Sequence, residues 1–317
     1  MKTEYIILIC VLALAAFTVW SFFAVARILF NIHLKRTNKN KWNRGCSVEE
    51  PIQRTMYDAA LEYREGLTDI RELEMENEGY KLFAEYTDFG YDKAVIIIPG
   101  RTEALYYGYY FAKAYAEIGY NILTIDQRAH GYSGGKYNSI GFKEHKDILA
   151  WGKLLHEQFG INEIWLHGIC IGSSCAMFAL TNPQCPKYFV GMTAEGMYPN
   201  FYESFKNHMI ALKKPVFPCL QLVERLVRKE IGITMRYGPI DVIARLEKPL
   251  LMIHSREDLY SLPETAVILH DKCNSTKSLV WFEHGAHSQL RFVDTIKYDN
   301  AIKEFVKSCT KIEQQQI

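Results

Sequence analysis

The sequence predicts an α/β domain behind one long apolar helix at the N-terminus. A short apolar run, residues 163–167, is followed by a glycine-flanked cysteine and then by the helix-like run 173–180. Two further strand-like runs, 249–254 and 278–282, lie in the C-terminal part of the chain. About 270 residues follow the N-terminal segment, which is enough for one sizeable α/β domain with a full core.

The N-terminal helix is predicted from Tyr5 to Ala26, 22 positions in which only Thr18 and Ser21 are polar. At ~1.5 Å per residue such a helix crosses a hydrocarbon core of ~30 Å, so the run indicates a single membrane span. Six lysine and arginine residues follow it with no acidic residue among them: Arg27, Lys35, Arg36, Lys39, Lys41 and Arg44. The positive-inside rule therefore predicts that the main domain is cytoplasmic.

A cleaved signal peptide is the alternative, because Ala24-Val25-Ala26 has the small-x-small form of a cleavage site. The apolar run exceeds the usual signal core of roughly 7 to 15 residues, which favours the anchor. Bulky aromatic side chains also crowd the cleavage region: Trp20, Phe22 and Phe23. The basic cluster after the span is expected to meet anionic lipid headgroups.

Charge and cysteine usage exclude some classes of function. The formal net charge is +1, so nothing outside the basic cluster favours nucleic acid as a partner. The eight cysteines lack the spacing of a disulfide framework, and no pair has zinc-ligand spacing. Residues 1–46 are predicted to be the transmembrane anchor and basic linker, and residues 47–317 the folded domain. A capping box at Ser47 and Glu50 predicts a first domain helix over residues 48–65.

The most informative motif is Gly168-Ile169-Cys170-Ile171-Gly172, set between strand-like and helix-like runs. Glycines are expected on both sides because the backbone at the middle residue is strained, and a Cβ there would collide with the neighbouring strand and helix. The Cys170 side chain is thereby directed outward at a helix start, where the helix dipole and a nearby imidazole favour the thiolate. A buried, inert cysteine between two glycines is the alternative.

Further motifs occur in a fixed order along the chain. They are a hairpin at 77–82 with Gly79 at its turn, the run 94–99 followed by Gly100-Arg101, and the segment Asp126-Gln127-Arg128-Ala129-His130-Gly131-Tyr132-Ser133-Gly134. From about Glu72 to about Lys307, the sequence resembles the alpha/beta-hydrolase family in its small lipase-like and esterase-like branch. The resemblance implies a mostly parallel eight-stranded sheet with helices on both faces. Cysteine replaces the usual serine, and Ala129 replaces a glycine.

The resemblance implies a triad in the chain order nucleophile, acid, histidine. Asp258, which follows a strand-like run, best matches the acid, and His287, which follows another, best matches the base. Glu257 and His284 stay open as alternatives in the same two segments. In this scheme Cys170 attacks a carbonyl, His287 moves the proton, and Asp258 fixes the imidazole tautomer.

The resemblance also implies where the substrate lies. The backbone N–H groups of Ile171 and Arg101 are expected to form the oxyanion hole. Two interpretations of the Arg101 side chain stay open, contact with an anionic substrate and a solvated loop charge, and the second is favoured. An insertion at about 198–246 is expected to form a helical cap. It supplies three candidates for an apolar substrate pocket, whose alternative role is packing the cap on the core: Phe201, Phe205 and Phe217.

The expected function is hydrolysis of an ester, lactone or thioester through an acyl-cysteine intermediate, with a small acyl or lipid-like molecule as substrate. Activated carbonyl compounds suit sulfur best, because a thiolate is itself a good leaving group from the tetrahedral intermediate. No cofactor and no metal are implied. The alternatives are an acyltransferase that uses a thioester donor, and a weakly active or inactive binding module on the same fold.

Overall fold

The computed structural model of the chain describes residues 3–45 and 50–315, with side chains as far as residue 309. Helix α1 spans Thr3–Leu34 and contains the predicted run 5–26. By length and composition it is able to cross a membrane. Its C-terminal part is not free, because Ala26, Leu29 and Phe30 are buried against the rest of the chain. Helix α1 is therefore docked on the domain.

The segment after α1 folds back on the domain as well. Arg36 donates to the carbonyl oxygen of Gly131 at 2.7 Å, and Arg44 is buried beside the Asp126 carboxylate at 2.8 Å. Lys41 donates to carbonyl oxygens at the C-terminal end of α1. These three side chains are engaged within the protein, so the expectation that the whole basic cluster meets lipid headgroups does not hold for them.

Helix α2 spans Pro51–Glu65 and ends at Gly66. It begins at Pro51 instead of residue 48, because the Glu50 carboxylate itself caps the helix by accepting the backbone N–H groups of Ile52 and Gln53. Ser47, the other member of the predicted capping box, lies outside the described residues.

The described residues contain one sheet of eight strands. The strands are β1 Ile70–Asn77, β2 Tyr80–Thr87, β3 Lys93–Ile98, β4 Asn121–Ile125, β5 Glu163–Ile169, β6 Phe189–Glu195, β7 Leu250–Ser255 and β8 Lys277–Phe282. Their order is β1-β2-β4-β3-β5-β6-β7-β8, with antiparallel pairing at β1–β2 and β2–β4 and parallel pairing elsewhere. This confirms the predicted mostly parallel sheet. The predicted hairpin is also present, with Glu78 and Gly79 at positive φ in its turn.

Helices cover both faces of the sheet. After α2 they are α3 Leu105–Gly108, α4 Lys113–Ala116, α5 Glu144–Phe159, α6 Ile171–Leu180, α7 Phe201–Ala211, α8 Cys219–Glu230, α9 Pro239–Val242, α10 Pro263–Lys272, α11 Leu290–Val293 and α12 Thr295–Gln315. Strand β3 shows the arrangement: Ile96 and Ile98 pack towards α5 and α6, whereas Val95 and Ile97 pack towards α2 and α12. Since both faces are buried, the central strands are continuously apolar.

Helices α7, α8 and α9 lie between β6 and β7, where the cap was predicted. The apolar side of α8 packs on the end of α1 through Leu220, Val223 and Val227. Arg27 of α1 and Glu230 of α8 form an ion pair at 2.7 Å. The cap and the N-terminal helix thus form one packed unit above the C-terminal ends of the parallel strands.

Candidate active site

Cys170 occupies the sharp turn between β5 and α6. Its φ of 54° lies in the left-handed region, which is strained for a residue with a Cβ. A Cβ on Gly168 would come within 2.5 Å of the backbone of Gly172 and Ser173, and one on Gly172 within 2.2 Å of the carbonyl oxygen of Ile98. This confirms the steric reason predicted for the two flanking glycines.

The Cys170 side chain is half-buried and faces a cavity of about 660 Å³. The cavity is bounded by the ends of β3, β5, β7 and β8, by α7 of the cap, and by the end of α1. Cys175, five residues later, is fully buried in α6, and burial raises the pKa of its thiol well above the usual value. The two cysteines therefore differ as expected: Cys170 is accessible and Cys175 is a packing residue.

His287 and Asp258 meet at the same cavity. The His287 Nδ1 atom lies 2.7 Å from Oδ2 of Asp258, whose other oxygen accepts the backbone N–H groups of Tyr260 and Ser261 at 2.8 Å each. Gly196, at φ +60°, leaves room for the imidazole, because a Cβ there would lie 2.9 Å from the ring. The carboxylate is fixed by two backbone donors, and it fixes the ring in turn.

Electrostatics favour a charged histidine in this arrangement. Burial on its own lowers the pKa of His287, but the Asp258 carboxylate and the nearby Cys170 sulfur outweigh it and raise the pKa well above the usual value. Burial on its own raises the pKa of Asp258, but the charge and hydrogen bond of His287 outweigh it and lower that pKa. Both directions favour the imidazolium–carboxylate form of the pair, with the Cys170 sulfur close to the ring.

These shifts predict how stability depends on pH. A raised histidine pKa stabilises the fold below the unfolded value of about 6.5, and this stabilisation is lost as the pH rises through the folded pKa. A lowered aspartate pKa stabilises above about 3.9, and its contribution is lost as the pH falls. We expect the native protein in detergent to have a higher melting temperature than the His287→Gln variant, and we expect this difference to be larger at pH 6 than at pH 10. If the difference between the two melting temperatures were the same at both pH values, the raised pKa of His287 would be contradicted.

The two alternative triad residues form a separate pair on the surface. Nδ1 of His284 lies 3.0 Å from Oε1 of Glu257, and both side chains are mostly exposed. Glu257 also accepts the backbone N–H of Gly285 at 3.1 Å. The structure therefore brings Asp258 together with His287, beside Cys170, and brings Glu257 together with His284 at the rim of the cavity.

The two predicted oxyanion donors lie on adjoining segments, because an added Cβ on Gly172 would come within 2.9 Å of the carbonyl oxygen of Pro99. Ile171 is the first residue of α6, so its N–H has no acceptor within the helix. Arg101 follows β3, in a loop held by a hydrogen bond from the Gln127 side chain to the Pro99 carbonyl oxygen at 2.6 Å. The His130 ring lies 2.8 Å from the carbonyl oxygen of Arg101. These two contacts hold the loop to the segment that follows β4.

The three candidate pocket residues do not share one location. Phe201 and Phe205 of α7 line the cavity. Phe217 does not, because its side chain is 77% exposed between α7 and α8. The helical spacing that directs Phe201 and Phe205 to the same side ends with Ala211, and the chain beyond it turns through prolines. The assignment of Phe217 to the substrate pocket was therefore wrong.

Sequence reasoning also missed functional neighbours. Glu195, at the end of β6, is fully buried; it accepts the backbone N–H of Leu290 at 3.1 Å and the hydroxyl of Tyr298 at 2.7 Å. Burial raises the pKa of this carboxyl group. Leu290 lies three residues after His287, so Glu195 fixes the segment that carries the imidazole. The signal available in the sequence was Glu195 itself, a charged residue at the end of the mostly apolar strand β6.

Three nitrogen-bearing side chains line the cavity, and sequence reasoning had considered only that of Arg101 for contact with a substrate. They are the side chains of Arg101, His208 of α7 and His33 of α1. Arg101 is half-buried inside the cavity, so the favoured expectation of a solvated loop charge was wrong. His208 follows Phe205 by three residues on α7, and that spacing was the available signal for its direction.

Comparisons with known proteins agree with this architecture. A family model described as alpha/beta hydrolase fold matches residues 93–215. The "Uncharacterized protein YqkD" of Bacillus subtilis (strain 168) is 27% identical over 215 residues, which cover 67% of this chain and 70% of that protein.

Two solved structures extend the similarity. The Pyrococcus furiosus esterase Pf2001 superposes with a TM-score of 0.63 at 21% identity, over 86% of this chain and 99% of that one. The esterase EaEST from Exiguobacterium antarcticum gives a TM-score of 0.53 at 17% identity, over 73% of this chain and 97% of that one. Sheet order, cysteine turn and these similarities together show that the chain has the fold of the alpha/beta hydrolase superfamily.

Proposed function

We propose that this protein is a membrane-anchored hydrolase that cleaves an activated ester or a thioester through an acyl intermediate on Cys170. One observation carries the proposal: a strained cysteine turn and a His287–Asp258 pair at 2.7 Å open into one cavity. The esterase neighbours support hydrolase chemistry in general, and the use of sulfur is inferred from Cys170 at the turn of this chain.

In the proposed mechanism the Cys170 thiolate attacks the carbonyl carbon, and the oxyanion that forms accepts the N–H groups of Ile171 and Arg101. The imidazolium of His287 donates its proton to the leaving group as the carbonyl bond to that group breaks. His287 then takes a proton from water, whose oxygen attacks the acyl carbon. The carbon–sulfur bond breaks, which releases the carboxylic acid and regenerates the thiolate.

The choice of sulfur limits the substrate. In the tetrahedral intermediate the thiolate competes with the substrate's own leaving group, so an ordinary alkoxide is expelled poorly. Thioesters, lactones and activated esters provide leaving groups that compete successfully. The cavity of about 660 Å³ has room for a short or medium acyl group beside Phe201 and Phe205.

We place the domain at the cytoplasmic face of a membrane, held by helix α1. Ala26, the last residue of the small-x-small sequence, is buried, and the helix continues without a break to Leu34. Cleavage after Ala26 would cut a helix whose C-terminal part packs on the cap, which favours an anchor over a signal peptide. The excess of lysine and arginine after the span supports the cytoplasmic orientation.

The test is mass spectrometry of the protein after brief exposure to p-nitrophenyl acetate or an acyl thioester. We expect an acyl adduct on the peptide that carries Cys170, decaying with release of the acid. The adduct should be absent in Cys170→Ala and retained in Cys185→Ala, a matched variant at a half-buried cysteine outside the cavity. An unmodified Cys170 in the native protein would refute the covalent mechanism.

The same experiment separates the other candidate functions. An adduct that decays faster when an alcohol or amine acceptor is added, with transfer of the acyl group, would identify an acyltransferase. Equal labelling of native protein and His287→Ala by a thiol-directed acylating probe would identify a binding module, because the reactivity of an unactivated thiol does not depend on the imidazole.

A further inference from the structure

The cavity contains a group of basic side chains that the proposed chemistry does not use. Arg101, His208 and His33 all line it, and none of the three side chains makes a hydrogen bond or ion pair with any residue in the described ranges 3–45 and 50–315. A guanidinium in a protein cavity normally has an anionic or carbonyl partner, because leaving it without one is costly. In the part of the chain that the structure describes, the N–H groups of these three side chains are therefore left for a bound group.

The acidic side chains of the same cavity are already engaged. Glu103 accepts hydrogen bonds from the side chains of Gln53 and Thr102. Glu50 caps α2 and accepts from Gln289 at 3.1 Å. Glu257 forms the surface pair described above. None of these carboxylates forms an ion pair with Arg101 in the described part of the chain.

The basic group lies within reach of the reactive sulfur. The ring centroids of His287 and Tyr260 are 5.5 Å apart, those of Tyr260 and His208 4.5 Å, and those of His208 and His33 5.5 Å. A row of rings thus leads from the catalytic imidazole to the end of α1. Arg101 lines the same cavity and interacts electrostatically with Cys170, His208 and His33, so its guanidinium lies near all three.

We propose that Arg101, His208 and His33 bind an anionic group, a carboxylate or phosphate, carried by the acyl substrate whose carbonyl Cys170 attacks. The identity of the reacting carbonyl rests on the proposed function. The existence of the anion site does not depend on it. The guanidinium supplies the charge, and the two imidazoles supply N–H donors.

Charge complementarity supports the assignment. Burial, with the charge of Arg101, lowers the pKa of His208 to about 4, so this imidazole is neutral at physiological pH and donates without adding charge. The positive charge offered to the anion then comes from the Arg101 guanidinium, which also interacts electrostatically with Cys170.

The first test compares two alkylating probes of similar size, anionic iodoacetate and neutral iodoacetamide. Both form a sulfur–carbon bond and release iodide. Dividing the ratio of their rates at Cys170 by the same ratio at Cys185, both read by peptide mass spectrometry, removes their difference in intrinsic reactivity and leaves the effect of the site on the anion. We expect the ratio of the iodoacetate rate to the iodoacetamide rate to be about 10-fold higher at Cys170 than at Cys185 in the same molecule. Arg101→Gln should reduce it to the Cys185 value, and His208→Phe should reduce it in part.

A matched control is Arg54→Gln, since Arg54 lies on the exposed side of α2, away from the cavity. It should leave the ratio unchanged. An unchanged ratio in Arg101→Gln, or equal ratios at Cys170 and Cys185 in the native protein, would overturn the anion site.

The second test uses a pair of esters of similar shape, mono-p-nitrophenyl glutarate and p-nitrophenyl valerate. We expect the ratio of kcat/KM for the glutarate ester to that for the valerate ester to fall about 10-fold in Arg101→Gln. Hydrolysis of both esters with an unchanged ratio would leave the proposed function standing and refute the anion site. A preference for iodoacetate without hydrolysis of either ester would leave the anion site standing and refute the proposed function. Thermal shifts with succinate and with inorganic phosphate distinguish the two anion classes.

Discussion

Replacing His287 by alanine is expected to lower kcat for thioester hydrolysis by about 10⁴-fold, the loss typical for removal of a triad histidine. In the proposed mechanism the variant lacks both the imidazolium beside the Cys170 sulfur and the proton donor for the leaving group. Asp258→Asn should lower kcat somewhat less than His287→Ala does, because the imidazole remains and loses only the carboxylate 2.7 Å away. Rates of acid release with an acyl thioester measure both effects.

Neighbouring residues of the same types supply the controls. His284→Ala and Glu257→Gln remove the members of the exposed pair three residues and one residue away. Each should change kcat by less than about twofold, since surface substitutions of this kind disturb little. A large loss in His284→Ala with retained activity in His287→Ala would exchange the roles assigned to the two histidines.

Gly172→Ala is expected to destabilise the folded protein by about 3 kcal/mol, at the upper end of what overpacking costs. The new Cβ would lie 2.2 Å from the carbonyl oxygen of Ile98 and 2.9 Å from that of Pro99. Both contacts are with backbone, so no side chain can rotate away. The start of α6 and the oxyanion loop after β3 must separate, which displaces Cys170 and Arg101 together.

Gly66→Ala is the matched control for this substitution. At Gly66 the nearest atom to an added Cβ lies at 3.5 Å, and the φ of −79° suits any residue. Denaturant titration in detergent micelles should place this variant within about 0.5 kcal/mol of the native protein. A Gly172→Ala protein of native stability would show that the start of α6 does not lie against β3.

The parts of the site that sequence predicted are those with local causes. The glycines around Cys170 are needed because two backbone segments meet at the turn, and this requirement is visible in the sequence motif. The positions of Asp258 and His287 after strand-like runs predicted that both would lie at one edge of a parallel sheet. Their pairing follows from topology, since β7 and β8 are adjacent.

The parts that sequence missed depend on distant packing. His33 reaches the cavity only because α1 continues past its predicted end and packs on α8, a contact between segments nearly 200 residues apart. Whether Arg101 is solvated or enclosed depends on the cap, which closes over it. Phe217 lies outside the pocket because helix α7 ends before it, at Ala211. The local sequence around these residues does not indicate such long-range contacts.

Ala129 shows a departure from the family pattern that the structure accommodates. Its φ of 64° is the left-handed conformation that a glycine would adopt without strain, and the residue is fully buried. An alanine there costs on the order of 1 to 2 kcal/mol. The loop keeps its shape because surrounding contacts, including the hydrogen bond from Ala129 to Gly134 at 2.8 Å, hold it.

Helix α1 supplies both the proposed span and, at His33, part of the cavity wall. His33 lies seven residues after Ala26, an axial rise of about 10 Å in a helix. In the proposed membrane-anchored arrangement, this short spacing would hold the Cys170 thiol in a thin layer next to the bilayer. In that arrangement the thiol would mainly meet molecules that are embedded in, leaving or adsorbed to the adjacent leaflet.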